Sequence, residues 1–136
     1  MKKIVVASIL FMNACTNSKQ DAPSEAACEN FRIGAFAYRM EGDSVVYHAE
    51  RNESIQKEKE PGTSNISMYK VNWISPCSYD LVYEGKYYAD RDTTIKNEEG
   101  LNIRVNLLEM KADSMIFEIK IPGMEKELKG SMFKVK

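Results

Sequence analysis

Arg51, Gln56 and Glu58 are the residues whose types and spacing come closest to a site in this chain. A cation, an amide and a carboxylate flank one short turn at Arg51-Asn52. A hairpin joining adjacent strands there would bring Arg51 and Glu58 within reach of each other. They then form either a polar cluster at a cavity mouth or an exposed or half-buried ion pair that fixes strand register, and the ion pair is the expected reading because strand faces commonly carry opposite charges. His48, the one histidine, falls on the other face together with Glu50. One histidine cannot build a multi-histidine metal site and no nucleophile is placed beside it, so no metal, cofactor or catalytic residue is expected. The carboxylates are many, but none sits in a recognisable pair with an activating context, which leaves a carboxylate-based hydrolase without a motif.

The second group that could do chemistry is aromatic. Tyr38, Tyr69, Trp73 and Tyr79, with Phe36, Tyr47, Tyr83 and Phe117 around them, supply either a plain core or a ligand cavity. Tyrosine dominates, and each buried hydroxyl wants a partner. A core plugged by its own side chains is expected, because a small barrel leaves little unfilled volume.

The elements that must position these residues are strands. From Phe31 onward, short segments of alternating polarity are punctuated by turn residues, and no stretch keeps a helical period for three turns. Phe36, Tyr38 and Met40 share one face before Glu41-Gly42-Asp43, and Val45, Tyr47 and Ala49 share one before Arg51-Asn52. A polar run around Ile55 ends at Pro61-Gly62. Tyr69, Val71 and Trp73 stop at Ser75-Pro76; Tyr79, Leu81 and Tyr83 stop at Glu84-Gly85; Tyr87 and Tyr88 begin a weaker segment before a polar loop from Asp90 to Gly100. Leu101, Ile103, Val105 and Leu107 give the clearest alternation. A turn at Lys111-Ala112-Asp113 leads into Met115, Phe117, Ile119 and Ile121, and Leu128 to Val135 supplies the last strand. The chain reads as all-β, a meander of about eight antiparallel strands joined mostly by short turns. A small up-and-down barrel is the expected closure, and a β-sandwich is the alternative; the absence of long crossover loops favours the barrel.

The leader sets the address. Lys2 and Lys3 precede an uncharged apolar run from Ile4 to Met12, and Asn13-Ala14-Cys15 follow. A transmembrane helix needs about 20 apolar residues, so this run is too short to remain as a span and reads as a secretory signal. With a small residue directly before a cysteine, it resembles a bacterial lipoprotein signal. That resemblance implies cleavage after Ala14 and a diacylglycerol on Cys15, whose two or three acyl chains suffice for stable anchoring at roughly 0.8 kcal/mol per buried methylene. The implied division is a signal over 1–14, a flexible tether over 15–27 and a folded domain over 28–136. The tether is small and polar with no hydrophobic period. The implied location is the bacterial cell envelope, with the outer membrane as the expected bilayer.

If Cys15 is lipidated, Cys28 and Cys77 remain, an even number in an exported chain where disulfides persist. A bridge between them is expected, worth roughly 4 kcal/mol in the loop-closure model. Two reduced buried thiols are the alternative, and the leader argues against it. The 19 basic and 20 acidic residues are scattered along the chain without a basic patch or run, so nucleic acid is not an expected partner.

Taken as a set, Cys28, Phe31, Gly34, Phe36 and Tyr38, then Arg51, Gln56 and Glu58, then Val71, Trp73, Cys77, Tyr79 and Leu81 resemble a group of small Bacteroidota lipoproteins of unassigned biochemical function. In that group a cysteine opens the domain, and a tryptophan precedes a second cysteine and an aromatic strand. The domain is also similar to lipocalin-like domains, in which a glycine near the first strand and a tryptophan help close the base of a barrel; Gly34 has that place here, whereas Trp73 lies on the fourth strand. What the resemblance implies is architecture. The expected function is a non-enzymatic envelope lipoprotein, held at the membrane by its lipid, that binds a small apolar or amphipathic ligand or an envelope protein partner.

Overall fold

A computed structural model describes residues 22–97 and 99–136. The leader and Cys15 lie outside the described residues. One short helix, α1 (Glu25–Asn30), precedes nine strands: β1 (Gly34–Met40), β2 (Tyr47–Arg51), β3 (Ile55–Lys59), β4 (Ile66–Ser75), β5 (Ser78–Tyr88), β6 (Thr93–Lys96), β7 (Asn102–Lys111), β8 (Ser114–Lys120) and β9 (Leu128–Lys134). All pairings are antiparallel. Sequential neighbours pair from β1 to β5, β5 pairs with β7, and the series runs on through β8 to β9, which returns to β1. Eight strands therefore close an up-and-down barrel, and β6 sits outside the ring, paired only with the far half of β5. Closure leaves no pair of stacked sheets, which excludes the sandwich.

The alternation that predicts the strands also predicts which side chains go inside. Phe36, Val71, Tyr79, Leu81, Val105, Leu107, Met115, Phe117 and Met132 are buried and form one core with Cys28 and Phe31. Turn chemistry sets the hairpins. Asn52 Oδ1 accepts from the backbone N–H of Ser54 and of Ile55 (3.0 and 2.8 Å) between β2 and β3, an Asx-type turn. At Gly130 on β9 a Cβ would lie 2.7 Å from the ring of Phe117 and 2.8 Å from the Arg39 carbonyl oxygen, so glycine is what lets that ring lie against the backbone of the neighbouring strand.

Several expectations are corrected. Glu84-Gly85 is not a turn, because β5 runs through it. Gly85 marks a bulge instead, where the register against β4 slips between Met68↔Gly85 and Tyr69↔Tyr83, and a Cβ there would run into the backbone of Ile95 and Lys96. Glycine inside a strand serves such a close approach as readily as a chain reversal. The polar stretch from Asp90 to Gly100 contains β6, whose four residues are all exposed; a strand outside the ring has no buried face and so no alternation to read. Val45 precedes β2 and is exposed, its N–H held by Asp43 Oδ1 at 2.9 Å, and Leu101, also exposed, precedes β7.

The stretch read as tether ends earlier than expected, since α1 takes up Glu25 to Ala27. Ser24 caps the helix by accepting from Ala27 N–H at 3.1 Å. The helix is then fixed by a disulfide between Cys28 and Cys77, the latter in the β4–β5 turn, with Cα atoms 5.2 Å apart. A six-residue helix is marginal in isolation. The bridge and the burial of Cys28 and Phe31 hold it across one end of the barrel.

Candidate functional site

Residues 47, 49 and 51 share parity on β2, and 56 and 58 share parity on β3. The register Arg51↔Gln56 and Ala49↔Glu58 turns all of them inward. Arg51 is thus buried, at 4% exposure, and so is Gln56. The expected exposed or half-buried ion pair is corrected to an interior network. Arg51 Nε donates to the Arg32 carbonyl at 3.0 Å, Nη2 to the Phe31 carbonyl at 2.7 Å, and Nη1 to Gln56 Oε1 at 3.1 Å. Gln56 Nε2 then donates to Glu58 Oε1 at 2.8 Å. Arg51 and Glu58 do come near each other, with the Gln56 amide as the group between them.

Aromatic rings enclose the guanidinium. Its Cζ lies 4.5 Å from the centroid of Tyr79, 4.7 Å from Phe36 and 5.7 Å from Trp73. Trp73 also packs on Tyr79 at 4.8 Å and carries Arg32 over its ring at 4.4 Å. Arg32 is in turn held from outside by Glu53, with bonds of 3.0 and 2.9 Å. The end of the barrel under α1 is therefore a closed base, with Arg51 bonded to the carbonyls of the segment that covers it. The indole Nε1 of Trp73 is buried there without a hydrogen-bond partner among the described residues.

Above this base the interior is not filled, which corrects the expectation of a plugged core. A cavity of about 170 Å³ lies between the walls. Phe36, Ala49, Tyr79, Val105 and Met132 form its buried floor, and Met40, Tyr47, Tyr69, Ile103 and Ile119 its half-buried upper wall. Arg51, Gln56, Glu58 and Tyr38 supply its polar groups. Of the expected aromatic residues, Tyr38, Tyr69 and Tyr79 line the cavity, while Trp73 belongs to the base. Met40, Ile103, Ile119 and Met132 were not foreseen as lining; their inward parity on β1, β7, β8 and β9 was the available signal. Arg32, as a cover for Trp73, had none.

Glu58 retains some accessible surface toward the cavity but is otherwise enclosed by protein. Burial raises its carboxyl above the ordinary value of 4.5; hydrogen bonds from Tyr38 and Gln56, and the charge of Arg51, oppose that rise without cancelling it. Burial likewise raises the hydroxyls of Tyr38 and Tyr69, and the Glu58 charge adds to both. Between 4.5 and the higher value at which folded Glu58 ionises, the folded chain holds a proton that the unfolded chain has lost. Stability attributable to this group therefore falls as pH rises through that window and is level above it. Glu58→Gln keeps an oxygen acceptor for Gln56 and is expected to remove the fall. Urea melts of both chains at stepped pH from 4.5 upward check this, and parallel profiles would show that Glu58 titrates as an ordinary carboxyl.

His48 stands exposed on the outer face, opposite Ala37 and Lys59. Among the described residues no three or more His, Cys, Asp or Glu side chains are grouped to hold a metal ion, and no helix is long and apolar enough to cross a membrane. In comparison with known proteins, the chain matches no protein-family model, no curated sequence and no solved structure.

Proposed function

We propose that the protein is a lipid-anchored bacterial envelope protein of the small Bacteroidota lipoprotein type, tethered through Cys15, whose barrel binds one small apolar or amphipathic ligand without chemical turnover. The observation that carries this reading is the cavity of about 170 Å³ between apolar walls, with its polar groups gathered on one side. Ligand sites are mostly apolar and carry a few placed polar groups, and an apolar cavity of about 150 Å³ accommodates a benzene-sized molecule. The lining includes one carboxylate, Glu58, where two-carboxylate hydrolysis needs a second. The basic-apolar-cysteine leader supports the anchor and the envelope address, with the outer membrane as the membrane proposed.

Intact and thiol-blocked mass spectrometry of the full chain, extracted gently from a bacterial membrane fraction, tests both halves. The expected result is a diacylglyceryl mass on Cys15, Cys28 and Cys77 inert to alkylation, and a small molecule that co-purifies and is released on unfolding. An unmodified Cys15 would overturn the anchor. A ligand-free protein that gains no stability from added small amphiphiles would overturn the binding.

A further inference from the structure

The lining of the cavity has a polarity of its own. Its one cation, Arg51, is committed to protein acceptors: the carbonyls of Phe31 and Arg32 and the side chain of Gln56. The groups left facing the open volume are electron-rich. Glu58 presents its carboxyl group, and Tyr38, Tyr47 and Tyr69 line the same cavity, each feeling the Glu58 charge once that group is ionised. The rings are held in place by one another. Tyr38 stacks on Tyr47 at 5.2 Å and meets Phe117 edge-on at 6.0 Å, and Tyr69 leans on Tyr83 at 5.4 Å. Aromatic faces carry the negative part of the ring quadrupole and attract cations, most strongly when the cation is removed from water. A carboxylate supplies the charge-assisted acceptor that a buried ammonium needs in exchange for its hydration.

Resting on the ligand-binding reading above, we infer that the ligand is a small organic ammonium, with its cationic head between Glu58 and the tyrosine rings and an apolar body about the size of one aromatic ring in the cavity. An anionic head would instead meet the Glu58 carboxylate, with Arg51 already engaged. A neutral head would leave the Glu58 charge with its protein partners alone, Gln56, Tyr38 and Arg51.

The groups facing Glu58 from the strands around it are Tyr38 on β1, Tyr47 and Arg51 on β2, and Tyr69 on β4. Burial raises each of the three tyrosines, so Glu58 is the group in this set that gains a proton as the solution is acidified. Ammonium affinity is therefore expected to fall as Glu58 protonates.

Three probes with one body separate the possibilities in calorimetric titrations of the full chain: phenethylammonium, 2-phenylethanol and phenylacetate. At a pH above the window in which stability falls with Glu58, where its carboxyl is ionised, phenethylammonium is expected to bind at least about tenfold more tightly than 2-phenylethanol, with phenylacetate weakest. Acidification should erase that preference, as should Glu58→Gln. If phenethylammonium and 2-phenylethanol bind equally, or phenylacetate binds most tightly, the ammonium assignment is overturned and the cavity reading stands. If none of the three binds, the cavity reading falls and takes the assignment with it. The comparison on the unmodified chain decides the matter even if Glu58→Gln does not fold.

Discussion

Arg51→Met is expected to destabilise the domain by about 3–5 kcal/mol, the range for removing one partner from a buried charged network. The carbonyls of Phe31 and Arg32 and the amide oxygen of Gln56 would lose their donors together. Glu58 would lose its interior counter-charge, and the rings of Phe36 and Tyr79 the cation they enclose. Methionine fills much of the volume, so the loss reports unsatisfied polar groups rather than a cavity. Arg51→Lys should recover only part of it, because a single ammonium cannot span two carbonyls and an amide in the way the planar fork does. Adding Glu58→Gln to Arg51→Met removes the stranded carboxyl and should restore some stability. Denaturant unfolding followed by the fluorescence of Trp73, the chain's one tryptophan, measures all three. A loss below about 1 kcal/mol for Arg51→Met would mean that water replaces the guanidinium without penalty.

Opening the Cys28–Cys77 bridge has a comparable expected effect. With a sequence separation of 49, the loop-closure model gives roughly 4 kcal/mol. The bridge also ties α1 to the β4–β5 turn, and Phe31, which follows that helix, presents the carbonyl to which Arg51 Nη2 is bonded. The two losses should therefore not add. Once Cys28→Ser with Cys77→Ser has loosened the segment over the base, Arg51→Met should cost less than it does in the bridged chain, a coupling that a double-mutant cycle reads directly. Denaturant midpoints with and without reductant give the first number, and strict additivity would separate the bridge from the base.

The parts of the fold readable from the residue pattern are those in which one face is buried. β7 and β8 alternate cleanly because their inner residues, from Ile103 to Leu107 and from Met115 to Ile119, have no other place to go. β6 has no inner face and was hidden among polar residues. Gly85 misled because a glycine marks a change of backbone direction without saying whether the chain reverses or bulges. The cluster of Arg51, Gln56 and Glu58 is legible as a set, but its charge argues for an exposed or half-buried ion pair. The parity of Arg51 with Tyr47 and Ala49 argued for the interior, and parity won because backbone carbonyls and rings were waiting at the base to satisfy the guanidinium. Those carbonyls belong to Phe31 and Arg32, and a backbone acceptor leaves no trace in side-chain pattern. The cavity was unreadable for a similar reason: volume is a difference between the space the walls enclose and the side chains that enter it, and no single residue type encodes it.

The pairing of β1 with β9 sets Phe36 opposite Lys134, so the ring is completed between the two ends of the folded sequence. Hairpins of this meander form from neighbours, but the seam joins residues separated by most of the domain, and contacts of such span are slow to make. A chain that has not delivered its last strand holds two open edges, on β1 and on β8, each a template for pairing with another molecule. The barrel therefore has a natural order of assembly, from turn to turn and seam last. A nascent or truncated chain lacking residues 128–134 is expected to be the form that aggregates.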